Sequence, residues 1–311
     1  MRRALLSLVA AALVAAPAFS ADALTAVPYR SAAACDSSGH VFFSDHPDET
    51  AYIASVSKLM TAFLVFEDIR DKKYTLSTRV VAGEEVAYAE PSWVGLKKGD
   101  AMSVRDLLFA LLVGSANDAA VVLARHAEGS VEAFVARMNS RAKSLGMERT
   151  VYSNPSGLPP SKARRYPWKG FNVSTANDQL RLARALLAHP EVFAFTSVES
   201  VEFIKTADGY RVSLERDAAK DGEKLVRRVA NHNRLLGREL PSVDGLKTGY
   251  IDAGGSSILV SAKEKDRRVF VAVLGSGSKL DAKRRVLRKS ADVRDDAARH
   301  LLLDILSTMA W

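Results

Sequence analysis

The chain has a single cysteine, Cys35, among its 311 residues, so no disulfide can form within it in any compartment. It has no apolar run of the ~20 residues that a membrane-crossing helix needs. Its six histidines, His40, His46, His126, His189, His232 and His300, show no metal-ligand spacing, so no metal and no other cofactor is expected. Internal repeats and low-complexity linkers are also missing. Acidic residues are the scarcer charge, 36 against 44 basic ones, which leaves a formal charge of +8 and a basic protein suited to anionic surroundings.

The first 21 residues differ from the rest. Arg2 and Arg3 precede an uncharged run from Ala4 to Phe19, and small residues follow before the first acid, Asp22. This pattern is that of a secretory signal peptide, with cleavage expected between Ala18 and Ala21, and residues 22–311 form the mature chain. Export makes nucleic acid an unsuitable partner and directs the residual positive charge toward the cell envelope. Ala32-Ala33-Ala34-Cys35 resembles a lipid-attachment box, but Asp22, Tyr29 and Arg30 separate it from the apolar run, so Cys35 is expected as a buried thiol in a strand.

Along the mature chain, residues 31 to 45 alternate around Asp36-Ser37-Ser38-Gly39, as a hairpin does. From about 75 to 190 helical periodicity dominates, with Leu107, Leu108, Leu111 and Leu112 and then Phe134, Met138 and Leu145 marking apolar faces. Strand patterns follow at 198–204, 225–229, 245–248, 256–262 and 268–274, and an apolar helix at about 295–309 ends the chain. A hairpin, a core helix, a helical insert, strands and a last helix predict an α+β fold, a mainly antiparallel sheet covered by helices. Residues 276–294 hold seven basic and two acidic residues and read as a solvated face.

The core helix carries the first candidate for chemistry. In Ala54-Ser55-Val56-Ser57-Lys58 the polar residues crowd the start, and Leu59, Met60, Phe63, Leu64 and Phe66 recur on a buried face. A serine in the first turn lies beside unsatisfied backbone N–H groups, and a lysine three residues on lies over the same face. That pairing suits a nucleophile with its own base, provided burial or a nearby cation keeps the amine neutral. Ser-x-x-Lys also arises by chance, as at Ser140 to Lys143 and Ser276 to Lys279. Two further motifs set Ser55 apart: Ser115-Ala116-Asn117 at a turn between helices, and Lys247-Thr248-Gly249 on a strand, with a glycine that admits a ligand to the backbone.

In this order the three motifs match penicillin-interacting serine acyltransferases. Together with Phe134-Val135-Ala136-Arg137-Met138-Asn139, Asn154-Pro155-Ser156-Gly157-Leu158 and Val243-Asp244-Gly245-Leu246-Lys247-Thr248-Gly249-Tyr250, they make the chain resemble the D-alanyl-D-alanine carboxypeptidases, the low-molecular-mass penicillin-binding proteins, from about Ala32 onward. The resemblance implies the penicillin-binding-protein/β-lactamase-like transpeptidase fold, peptidoglycan stem peptides as substrate and β-lactam antibiotics as acylating inhibitors. It implies Ser55 as nucleophile, Lys58 as its base and Ser115 as proton relay. Asn117 would hold the acyl side of the substrate, Lys247 and Thr248 its carboxylate, and the N–H groups of Ser55 and Tyr250 the oxyanion. Arg294, before the last helix's Leu301-Leu302, fits the family's carboxylate-gripping arginine, although the 276–294 connection is longer than usual. The family's frequent C-terminal β domain and amphipathic membrane anchor have no counterpart here, which leads to the expectation of a soluble periplasmic or cell-envelope enzyme without a stable membrane anchor. Alternatives are a D,D-endopeptidase that cuts cross-links and a non-catalytic wall-binding protein; no Glu-x-x-Leu-Asn stretch follows Asn117 to support a β-lactamase.

Overall fold

A computed structural model describes residues 29–88, 91–160, 168–237, 240–277, 279–280 and 286–308. The signal peptide expected over 1–21 lies outside the described residues, as does part of the basic stretch. In chain order, β1 (Ser31–Asp36), β2 (Val41–Asp45) and β3 (Ala51–Tyr52) lead through a 3-10 turn, Ala54–Ser57, into α1 (Lys58–Arg70). Then come β4 (Arg79–Val81), β5 (Ala101–Ser103), α2 (Val104–Leu112), α3 (Asn117–Glu128), α4 (Val131–Ser144), β6 (Val173–Ser174), α5 (Ala176–Ala185) and α6 (Glu191–Thr196). The remainder is β7 (Ser200–Thr206), β8 (Gly209–Ser213), β9 (Lys224–Ala230), β10 (Val243–Ile251), β11 (Gly255–Glu264), β12 (Arg267–Ser276), the short pair β13 (Lys279–Leu280) and β14 (Val286–Arg288), and α7 (Ser290–Thr308).

The main sheet, in the order β10-β11-β12-β1-β2, is antiparallel throughout. Its central strands β11, β12 and β1 bury apolar residues on both faces because both faces are covered there. On β12, Phe270, Ala272 and Leu274 enter the core shared with α1 and α5, whereas Val269, Val271 and Val273 alternate into a second core. There they meet Ala297, Ala298, Leu301, Leu302 and Ile305 of α7. Cys35 lies buried in β1, as its neighbours predict, and burial pushes its thiol up to about 11.

The region from 75 to 190 holds α2 to α5 and also the short strands β4, β5 and β6. β4 and β5 join a second sheet, β4-β5-β8-β7-β9. Side-chain oxygens start three of the helices: Ser103 accepts from the Asp106 N–H, Ser130 from Ala133 and Thr175 from Asp178. α1 runs between the layers and is buried from Lys58 to Asp68 on every side, so the one-sided face expected for it is in fact a full cylinder. This central position holds the turn before it, and hence Ser55, against the edge strand β10.

Candidate active site

Ser55 sits on the 3-10 turn, partly exposed although Ala54 and residues 56–66 are buried. Two glycines let the surrounding backbone close on it. A Cβ at Gly249 of β10 would lie 2.4 Å from the Ile53 carbonyl and 3.0 Å from the Ser55 nitrogen, and one at Gly157 would lie 1.9 Å from the Ala54 carbonyl. Gly157 also has φ +83°, a conformation that costs glycine little. Ala54 and Ser115, each beside or at a candidate catalytic hydroxyl, take left-handed φ values of +47° and +54° without being glycine. Such strain persists only where the surroundings fix the backbone, and it gathers at functional sites.

Lys58 begins α1, fully buried, and its Nζ lies within hydrogen-bonding distance of three oxygens: Ser55 Oγ at 2.8 Å, Asn117 Oδ1 at 2.8 Å and the Ser156 carbonyl at 2.7 Å. The sequence motifs did not reveal the third acceptor. It is presented by the 154–158 loop, which is wound around Asn154: its Oδ1 accepts from the N–H groups of Ser156, Gly157 and Leu158, and its Nδ2 donates to the Leu158 carbonyl. Asn172 Nδ2 fixes that loop through the Asn154 carbonyl, and Thr61 of α1 donates to the Pro155 carbonyl. The Asn-Pro-Ser-Gly sequence signals a turn, but only the fold aims its carbonyl at an amine 98 residues away.

Ser115 lies on the α2–α3 connection and Asn117 opens α3, both buried. Asp118 anchors that connection. Its carboxylate accepts from the N–H groups of Val94, Gly95 and Leu96, while the Asn117 N–H donates to the Ser92 carbonyl. Burial nevertheless raises the Asp118 pKa above the usual carboxylate range.

Lys247 and Thr248, on β10, are also buried, and the Lys247 ammonium donates to the Thr248 carbonyl at 3.0 Å. Tyr250 is 58% exposed, with its hydroxyl on Asp252 at 2.7 Å. Arg294, on α7, is buried against Asp295 at 2.5 Å, and its charge reaches Lys247. Burial, reinforced by Arg294, brings Lys247 down to about 7. Burial and then Lys247 pull Lys58 far below the ordinary amine range. His232 was not singled out from sequence, yet it faces the same group: burial, then Lys247, Lys58 and Arg294, depress it to about 4. Its neighbours hold it there, with Asn231 Nδ2 donating to the Thr196 and Val198 carbonyls and Asn233 Nδ2 to the Gly245 carbonyl.

The decoys stand apart. Ser140 and Lys143 lie exposed on α4, and Ser276 is buried at the end of β12. The structure thus gathers Lys58, Asn117 and the Lys247–Arg294 pair around Ser55, whose amine partner has its pKa pulled far below the ordinary amine range.

Residues 18–278 match the family model described as D-alanyl-D-alanine carboxypeptidase. The chain belongs to this family of peptidases. Among its curated relatives, the D-alanyl-D-alanine carboxypeptidase DacF of Bacillus subtilis is 30% identical over 77% of this chain and 55% of that protein. The D-alanyl-D-alanine endopeptidase of Escherichia coli is 29% identical over 77% of this chain and 68% of its own. The chain spans 54–66% of the length of the carboxypeptidases DacF, DacC and DacD that it matches. Among solved structures, the carboxypeptidase DacD of Francisella tularensis aligns with a TM-score of 0.76 at 26% identity, over 90% of this chain and 71% of that one. The ampicillin-bound penicillin-binding protein D2 of Listeria monocytogenes aligns with a TM-score of 0.68 at 28% identity, over 88% and 96%. The α+β transpeptidase fold expected from sequence is therefore the fold of this chain. No helix among the described residues is long and apolar enough to cross a membrane.

Proposed function

We propose that this protein is a serine D,D-carboxypeptidase of the cell envelope that removes the terminal D-alanine from peptidoglycan stem peptides and is acylated by β-lactams. One observation carries the reading: Ser55 Oγ lies 2.8 Å from the fully buried Lys58 amine, whose pKa burial and the neighbouring Lys247 pull far below the ordinary amine range. Ser55 Oγ attacks the carbonyl carbon of the penultimate D-alanine as Lys58 Nζ takes its proton. The N–H groups of Ser55 and Tyr250 hold the oxygen as it becomes negative, a role whose loss typically costs on the order of a hundredfold in rate. The C–N bond then breaks, and the leaving amine takes a proton passed through Ser115. Water on the Ser55 ester completes hydrolysis. Asn117 orients the acyl side, and Lys247 and Thr248 receive the substrate carboxylate, with Arg294 adding charge behind Lys247. The basic, apolar leader over residues 1–21 brings the enzyme to this substrate.

Digestion of purified muropeptides by the mature chain tests the reading. Pentapeptide stems should become tetrapeptides with release of free D-alanine, and Ser55→Ala should release none. Untouched pentapeptides together with cross-linked dimers cut to monomers would replace this reading with that of an endopeptidase.

A further inference from the structure

The second sheet ends, among the described residues, at β9. Residues 224–228 of that strand are all exposed, Leu225 by 37% and Val226 by 41%. Its sequence Lys-Leu-Val-Arg-Arg-Val-Ala contains three cations and no acid. Arg228 turns inward to Glu202 and Ser200, whereas Lys224 and Arg227, the latter lying over the Phe203 ring, remain at the surface. A seven-residue strand is about 20 Å long. Its last residue, Ala230, runs directly into Asn231-His232-Asn233, the segment pinned beside Lys58 and Lys247. Lysines and a bulge, here at Val226 of β9 opposite the Phe203–Ile204 step of β7, commonly guard an exposed edge against other strands. Charges of one sign repel a second copy of β9, but they attract an extended chain of opposite sign.

We propose that β9 is a docking rail for the polymeric substrate: an extended, carboxylate-bearing peptide of the wall polymer lies along Lys224, Leu225, Val226 and Arg227 while another stem enters the Ser55 site. The proposal rests on the carboxypeptidase reading for its substrate class. A short peptide occupying the site has no second stem to lay on the strand, so the rail acts on the polymer alone.

The test is the Lys224→Glu/Arg227→Glu double variant beside the wild type, read in two ways. The first is the rate of D-alanine release from a short acyl-D-Ala-D-Ala peptide and from insoluble peptidoglycan. The second is co-sedimentation with that peptidoglycan, measured for both proteins in the Ser55→Ala background so that binding is seen without turnover. The expected result is an unchanged rate on the short peptide, a drop of roughly tenfold on the polymer and a similar loss of co-sedimentation. Wild-type protein inert toward the short peptide would defeat the carboxypeptidase reading, and co-sedimentation would still decide the rail. Equal co-sedimentation by both proteins would overturn the rail. A wild type that forms a dimer which the double variant abolishes would also overturn it, by assigning the edge to a second copy.

Discussion

At the scale of single residues, the site is costly to build. An amine whose native pKa is about 7, as Lys247 has, is disfavoured by folding, because the unfolded lysine keeps its proton up to about pH 10.4. Between those two pH values the unfolded chain binds more protons than the native one, so this group makes stability rise with pH from about 7 to about 10, and its full cost is felt below 7. Replacing Lys247 with methionine keeps much of the volume and loses the bond to the Thr248 carbonyl. The expected outcome is a melting temperature at pH 7 higher by about 2–4 °C, a gain that shrinks toward pH 10, together with much slower acylation by penicillin. Scanning calorimetry at the two pH values checks this; a gain that is equal at both, or a lower melting temperature at pH 7, would show that the burial of Lys247 carries no such cost.

At the scale of elements, the active site is a junction where a turn, a loop and an edge strand approach more closely than side chains allow. Gly157 is the sharpest case, with a positive φ and the Ala54 carbonyl where a Cβ would stand. Gly157→Ala should therefore destabilise the fold by about 2 kcal/mol or more and displace the Ser156 carbonyl from Lys58, slowing acylation even in the folded fraction. Urea unfolding and acylation kinetics measure both effects, and wild-type values in both would contradict the close approach. The three short motifs were legible in sequence because each keeps its chemistry within a few residues, as were the long strands β10, β11 and β12 and the helix α7. Strands β4 and β5, three residues each, and β8, which opens on a glycine, were too short or too mixed to show a period. The roles of Asn154, Asp118 and His232 were illegible for another reason: they act on residues far along the chain or through backbone groups, and a single sequence carries no sign of such contacts. The full burial of α1 escaped for the same cause, since its outer face is apolar only because further layers cover it.

At the scale of the molecule, two cores on either side of the main sheet meet at one edge, where the helical region and α7 each contribute to a single cationic centre. Arg294, Lys247 below about pH 7 and, at low pH, His232 carry the positive charge of the centre, with Asp295 paired to Arg294, so its Lys247 end favours an anionic ligand. The proposed function makes Ser55 the acylated serine, and it is the only serine with a buried amine within hydrogen-bonding distance among the hydrogen bonds of the described residues. Peptide mapping by mass spectrometry after brief exposure of the mature protein to benzylpenicillin tests this most directly. One penicilloyl group should appear, on the peptide that contains Ser55, and none should form on Ser55→Ala. An unmodified protein, or an adduct on Ser115, Ser140 or Ser276, would contradict it.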